Sequence, residues 1–122
     1  MIKIPEDKVI ITVAQTGALV TKKMNPSLPE QPDEIAESAY ACYQEGAAIC
    51  HIHARDKQGT TTGSKEVFQD IHDRIRAKCK IIIQDSTGGG PNLSLEHFEF
   101  VTSLPEERFH FRTLEDEGTT SM

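Results

Sequence analysis

The stretch AAICHIHARD, residues 47–56, decides how this chain is interpreted. Small and apolar residues lead into two histidines, His51 and His53. In an extended strand side chains alternate between faces, so both imidazoles point the same way with Cβ atoms about 7 Å apart, while Cys50 and Ile52 point the other way. Two imidazoles in that arrangement can bind one metal ion. The stretch therefore predicts a strand with one apolar face and one face suited to a metal.

A histidine in a strand is more often a surface or hydrogen-bonded residue than a ligand, so the residues that follow matter. Arg55 and Asp56 come directly after the pair, and a polar loop with two glycines occupies residues 57–63. The strand therefore ends at the edge where parallel α/β proteins build their sites. We expect Arg55 and Asp56 to serve a catalytic site by orienting the histidines or the loop, with loop capping by Asp56 as an equal alternative.

Strand and helix patterns alternate along the chain. Residues 9–14 are rich in β-branched side chains and predict a buried first strand. One helix is predicted from near Pro32 to a stop at Gly46, and another from about Ser64 to Lys78. The other predicted elements are a third strand at Ile81–Ile83, a third helix from about Ser94 and a fourth strand near Phe109–Leu114. This alternation indicates an α/β fold with a parallel sheet and right-handed crossovers.

Composition excludes several classes of function. The 122 residues are 37% hydrophobic and 26% charged, as in one soluble globular domain. The net charge of −6 argues against a nucleic-acid surface, which needs clustered Lys and Arg. No segment approaches the roughly 18 apolar residues of a membrane span. Three cysteines without CxxC spacing favour reduced thiols and a cytoplasmic protein.

A glycine-rich turn, Ser86-Thr87-Gly88-Gly89-Gly90, follows the third predicted strand. Glycines let the backbone approach a ligand closely, and free N–H groups at the start of the next helix attract a carboxylate or phosphate. A flexible turn is an equal alternative. The spacing is not GxGxxG and no Gly-Lys-Ser/Thr follows, so nucleotide binding is weakly supported.

Four stretches together resemble the β-keto acid cleavage enzymes, a family typified by 3-keto-5-aminohexanoate cleavage enzyme. They are VIITVAQTGAL (9–19), PDEIAESAYACYQEGAAICHIHARD (32–56), FQDIHDRIRAKCKIIIQDSTGGG (68–90) and GTTSM (118–122). The resemblance implies a zinc-dependent (β/α)8 TIM barrel, with zinc as cofactor and acetyl-CoA as co-substrate. The implied reaction cleaves a 3-keto acid to give acetoacetate and a new acyl-CoA.

The resemblance also implies roles for individual residues. His51 and His53 would be two zinc ligands, and Thr119 would add a substrate contact. The substrate carboxylate would be held by Ser86, Thr87, Gly88 and Gly89. A divalent ion would polarise the ketone while donors of the turn fix the carboxylate. The family member with an amino substrate has an acid where this chain has Leu19, so an amino-bearing keto acid is not expected.

Length sets a further expectation, because a complete eight-unit barrel takes about 250 residues. We expect residues 1–122 to be a single partial barrel domain with about four β/α units, as a fragment or a shortened gene product. The family's third zinc ligand, a glutamate, and its catalytic Asp and Arg would lie in the other half. This chain alone is then expected to be inactive, and its open sheet edges to favour a homo-oligomer.

Two alternatives remain open at this point. One is another metal-dependent aldolase or hydrolase on the same barrel, because HxH does not choose a chemistry. The other is a non-catalytic remnant that binds a partner chain. The other histidines, His72, His97 and His110, are predicted to be structural surface residues without a paired partner.

Overall fold

The computed structural model of the protein describes residues 5–90, 93 and 109–111. The elements in chain order are β1 (Thr12–Ala14), α1 (Pro32–Gln44), β2 (Ile49–Ile52), α2 (Lys65–Arg76), β3 (Ile82–Ser86) and β4 (Phe109–Phe111). The strands form one parallel sheet in the order β1-β2-β3-β4. The predicted α/β fold with a parallel sheet is confirmed. The predicted third helix lies outside the described residues.

Both described helices begin and end close to the predicted positions. Pro32 is the first residue of α1, and Gly46, with φ of 106°, follows its last turn. The Ser64 hydroxyl accepts a hydrogen bond from the Val67 N–H at the start of α2. Proline fits the first helical position because its missing N–H would have no partner there, and a serine oxygen supplies a partner to a free N–H. These local signals explain why the helices were predictable.

The Glu34 carboxylate stabilises the start of α1. It accepts hydrogen bonds of 2.9 Å from the backbone N–H groups of Gln31 and Glu30, and Lys22 Nζ lies 2.7 Å from its other oxygen. The Gln31 N–H contributes most, followed by Lys22, and together these contacts lower the pKa of Glu34 from 4.5 to about 2. A negative charge is favoured at this position because the N-terminal end of a helix carries partial positive charge.

The core lies between the helices and one face of β2 and β3. Its most enclosed members are the residues Ile35, Ala36, Ala39, Cys50, Ile52, Ala54, Phe68, Ile71, Ile75, Ile81 and Ile83. Along β2, Cys50 and Ile52 point to this core, as the alternation predicted. The opposite face of the sheet is therefore left for His51 and for the residues paired with it.

The first strand differs from its prediction in length and burial. It covers Thr12–Ala14 only, and Val9, Ile10 and Ile11 are 81%, 55% and 44% exposed. The prediction of a buried strand over 9–14 is wrong for the described structure. The physical reason is position, because within the described sheet β1 is an edge strand that pairs with β2 on one side.

The third strand covers Ile82–Ser86, whereas the sequence predicted Ile81–Ile83, so it begins one residue later and ends three residues later than predicted.

The prediction that His72 is an unpaired surface residue is wrong. His72 is 1% exposed, and its Nε2 lies 2.6 Å from Oδ1 of Asp85 in β3. This buried pair ties α2 to the sheet on the core side. His97, the side chain of His110 and the end of the predicted fourth strand lie outside the described residues.

No helix within the described ranges is long and apolar enough to cross a membrane.

Candidate metal and carboxylate site

The candidate site is built on the pairing of β2 with β3. Parallel register places His51 opposite Gln84 and Ile49 opposite Ile82. Residues at the same register position share a face, so Gln84 lies beside His51 on the side away from the core. Ser86 follows two positions later at the carboxyl end of β3. Two strands thus bring their polar side chains together at the edge of the sheet where sites of parallel proteins are built.

The imidazole of His51 is buried, hydrogen-bonded on one side and unpaired on the other. Its Nδ1 lies 2.5 Å from Oε1 of Gln84, and the side chain is 8% exposed. With the amide oxygen as acceptor, Nδ1 carries the hydrogen and Nε2 keeps its lone pair. His51 Nε2 is enclosed and has no hydrogen-bond partner among the described residues. An orphaned buried lone pair of this kind fits a metal ligand.

The second imidazole, His53, follows β2 directly. Its ring centroid lies 5.1 Å from that of His51, with the ring planes at 68°. Two imidazoles bound tetrahedrally to one zinc ion, each with Zn–N near 2.0–2.1 Å, have centroids about 5 Å apart. The observed separation therefore suits one shared ion. No cluster of three or more His, Cys, Asp or Glu side chains suited to a metal occurs in the described part of the chain.

The turn after β3 carries the predicted carboxylate-binding residues. Ser86 is buried, and its Oγ accepts a hydrogen bond of 3.0 Å from the Gly88 N–H. Thr87 Oγ1 is enclosed without a partner among the described residues, which leaves a hydroxyl available to a ligand. A methyl group at Gly89 would overlap the side chain of Leu93, so the backbone passes close to its neighbours here. Thr119 lies outside the described residues.

Arg55 joins the loops that follow β1 and β2. Its side chain is 2% exposed and donates to the carbonyls of Gly17, Val20 and Gly59 at 2.8–2.9 Å. A guanidinium satisfies several carbonyls at once because its five N–H donors are fixed in a plane. Each of these contacts holds loop backbone, as one of the two predicted orienting roles requires.

Asp56 shapes the loop after β2. Its Oδ1 accepts 2.9 Å hydrogen bonds from the backbone N–H groups of Gln58 and Thr60, and Gln31 donates to its carbonyl. Three backbone hydrogen bonds, in which the N–H groups of Asp56, Gly59 and Thr62 donate to carbonyls of the same segment, and a bridge between Arg55 and Thr61 form a short hairpin. The contacts are those of the capping alternative, and a role of Asp56 in a reaction stays a prediction.

Sequence reasoning did not identify Gln84 as part of this site. Its position two residues before Ser86, in the same strand, was a signal that it shares a face with that serine. Its contact with His51 depends on register between strands that are 33 residues apart in the chain. That register cannot be derived from local pattern.

Comparison with known proteins gives a consistent result. A family model for beta-keto acid cleavage enzyme matches residues 8–116. A 3,5-dioxohexanoate:acetyl-CoA acetone transferase of Paraburkholderia graminis is 47% identical over 89 residues, which are 72% of this chain and 29% of that protein. A 3-keto-5-aminohexanoate cleavage enzyme of Fusobacterium nucleatum is 44% identical over 102 residues, 82% of this chain and 38% of that protein.

A more distant relative is named for a different substrate. The 3-oxoadipate:acetyl-CoA acetyltransferase of Cupriavidus necator is 34% identical over 98 residues, 80% of this chain and 34% of that protein. The chain spans about a third of the length of these curated relatives. The family match nevertheless includes β1 to β4, His51, His53 and the turn after β3. The chain therefore belongs to the beta-keto acid cleavage enzyme family.

Proposed function

We propose that this chain supplies the metal and carboxylate site of a zinc-dependent enzyme that exchanges acyl groups between a 3-keto acid and acetyl-CoA. The products are acetoacetate and a new acyl-CoA. The observation that carries the proposal is the enclosed Nε2 of His51 beside His53, for which the described part of the chain offers no hydrogen-bond partner. The names of relatives, which include acetyl-CoA transferases acting on keto acids, support the reaction class.

The fold proposed for the complete enzyme is a TIM barrel. Each described strand adds to the sheet next to its predecessor, whereas doubly wound sheets reverse their strand order. Helices α1 and α2 share one core with the same face of the sheet. A barrel has this arrangement, with helices outside and active-site side chains at the carboxyl ends of its strands. The half-exposed Ile82 would then face the barrel interior.

Each group at the site has a distinct task in the proposed reaction. His51 and His53 would hold a divalent ion, which would supply Lewis acidity toward the ketone of the keto acid. The Ser86–Gly89 turn would bind the carboxylate through backbone N–H groups and the Thr87 hydroxyl. Arg55 and Asp56 orient the loops around the site, as their backbone contacts suggest.

A base for proton removal is proposed to come from the part of the family fold that this chain does not match. Proton abstraction needs a base within hydrogen-bond reach of the substrate. Asp56 is the acidic residue nearest in sequence to His51 and His53. Its Oδ1 already accepts hydrogen bonds from two backbone N–H groups. We therefore propose that this chain alone does not turn over keto acids.

The proposed substrate is a 3-keto acid without an amino group. Leu19 is 72% exposed on the loop after β1 and offers no charge to a cation. Acetyl-CoA is the second substrate, and no nucleic acid or membrane partner is proposed. The free thiols of Cys42, Cys50 and Cys79 favour a reducing compartment such as the cytoplasm.

A homo-oligomer is the proposed assembly. The edge strand β1 has one unpaired side within the described sheet, and Val9, Ile10 and Ile11 beside it expose apolar surface. Unpaired strand edges with apolar neighbours tend to associate, so this surface needs cover from further strands or from another chain.

A chimera tests the proposed reaction. The 89 residues of this chain that align at 47% identity with the Paraburkholderia graminis relative replace the matching segment of that protein. With zinc, acetyl-CoA and a panel of short 3-keto acids, we expect acetoacetate release that His51→Ala abolishes and that Gln58→Ala, on the exposed loop, preserves. A folded, zinc-loaded chimera that releases no acetoacetate from any panel member would contradict the proposed function.

The isolated chain provides the companion measurement. Incubated with zinc and the same substrates, it is expected to release no acetoacetate above a protein-free control. Turnover that disappears in His51→Ala would show that this chain supplies its own base.

A further inference from the structure

The amide of Gln84 makes the hydrogen bond that determines which nitrogen of His51 is free. Neutral imidazole has one N–H donor and one lone-pair acceptor, and the hydrogen bond at one nitrogen fixes the role of the other. At His51 the paired nitrogen is Nδ1, at 2.5 Å from Gln84 Oε1, and the enclosed nitrogen is Nε2.

We propose that Gln84 is a positioning residue that holds His51 in the Nδ1–H tautomer, so that the Nε2 lone pair points into the site and can bind a divalent metal. The inference rests on the proposed metal site and adds to it a residue that does not touch the ion. Metal-bound histidines commonly donate their second N–H to a carbonyl, carboxylate or water, which fixes ring orientation.

The opposite orientation of the amide is less favourable. If Gln84 donated to Nδ1, the hydrogen of His51 would sit on Nε2, enclosed and without an acceptor among the described residues. A buried N–H donor without a partner is destabilising because it has given up its hydrogen bonds to water. A lone pair left free in the same place can instead be satisfied by a cation. The enclosure of Nε2 therefore favours the amide oxygen as the group facing His51.

The sheet fixes this contact in space. His51 and Gln84 are directly paired residues of neighbouring strands, and the backbone register holds their Cα atoms opposite each other. Directly paired side chains on one face lie within contact distance without any loop movement. Methionine has a similar length and only a weak acceptor in its thioether sulfur, so it would fill the space but leave the ring free to change tautomer. Glutamate would keep an acceptor at the same position.

The test compares Gln84→Met and Gln84→Glu, with Gln58→Met and Gln58→Glu on the exposed loop as matched controls. In metal-free chain labelled with ¹⁵N-histidine at pH 8, we expect His51 to give the Nδ1–H pattern in the parent and in Gln84→Glu. In Gln84→Met both tautomers should be populated. Zinc affinity, measured by chelator competition, should fall about 10- to 100-fold in Gln84→Met and stay within threefold of the parent or rise in Gln84→Glu.

The outcomes separate this inference from the proposed function. If His51→Ala lowers zinc affinity but Gln84→Met keeps the parental tautomer and affinity, Gln84 has no positioning role and the metal site stands. If His51→Ala binds zinc as well as the parent does, the metal site itself is wrong. Circular dichroism of each variant shows whether the fold is retained. Should Gln84→Met fail to fold, the Nε2–H pattern in the folded parent would still overturn the inference.

Discussion

The two faces of β2 and β3 differ in what they contact, although the same two strands form both. On the core face Cys50 and Ile83 are 0% and 3% exposed and pack against the helices. On the other face His51 and Gln84 make a polar pair, and Ile82 is 42% exposed. Stability and the proposed chemistry therefore reside in alternate residues. Substitutions one position apart should separate them.

Substitution of the neighbouring isoleucines Ile82 and Ile83 in β3 should give the largest difference in the free energy of unfolding. Ile83→Ala should lower the free energy of unfolding by about 2–5 kcal/mol because it leaves a cavity in the core. Ile82→Ala, the same change on the site face, should cost less than about 1 kcal/mol because the side chain is half-exposed. Urea unfolding followed by circular dichroism measures both. Equal losses would show that the two faces are not distinct.

Ile82 and Ile83 also test the proposal that the complete enzyme is a barrel. In the chimera with the Paraburkholderia graminis relative, a closed barrel would enclose Ile82 as well as Ile83. The loss caused by Ile82→Ala should then rise to about 2 kcal/mol or more. An unchanged small effect in a folded chimera would argue against a barrel interior on this face.

Substitution of Arg55 should give the next largest loss in the free energy of unfolding. Arg55→Met leaves the carbonyls of Gly17, Val20 and Gly59 without a charged donor and should lower the free energy of unfolding by about 2–3 kcal/mol. Arg74→Met is the control, because Arg74 is half-exposed and pairs only at the surface with Asp70. Its cost should stay below about 0.5 kcal/mol. Similar unfolding curves for the two variants would exclude a loop-joining role of Arg55.

Substitution of Glu34 should give the smallest loss in the free energy of unfolding. The sign of the pH dependence of this loss follows from the lowered pKa of Glu34. Its pKa falls from 4.5 to about 2 on folding, so its contribution to stability is present above pH 4.5 and is lost as pH falls toward 2. Glu34→Gln should cost about 0.5–1 kcal/mol at pH 7, because the carboxylate is partly exposed. That difference should shrink at pH 3. A constant difference, measured against Glu37→Gln as control, would contradict this assignment.

Local signals accounted for the helices and the alternation of β2, whereas long-range pairing accounted for the errors. Pro32, Gly46 and Ser64 mark helix ends through their own backbone chemistry, so the sequence alone placed α1 and α2. The exposure beside β1 depends on its being the edge of the sheet, and the burial of His72 depends on Asp85 in another element. Neither property can be derived from a window of neighbouring residues.

The candidate site shows the same division. His51, His53 and the Ser86 turn were predicted from spacing and from family resemblance, and the structure brings β2 and β3 together at that edge. The amide of Gln84 was missed because its partner is 33 residues away. Its position two residues before Ser86 places it on the face of that serine, but only the register between β2 and β3 shows that its amide reaches His51.

X-ray absorption spectroscopy at the zinc edge identifies the atoms that bind the ion, with the chain at high concentration and less than one equivalent of zinc. We expect nitrogen or oxygen neighbours at about 2.0–2.1 Å, with imidazole scattering that falls in His51→Ala and in His53→Ala. Cysteine is the competing ligand class, but burial raises the pKa of Cys50 to about 12, and the thiolate is the form that binds metal. A sulfur shell near 2.3 Å, or an imidazole signal unchanged in both variants, would contradict a zinc site at His51 and His53.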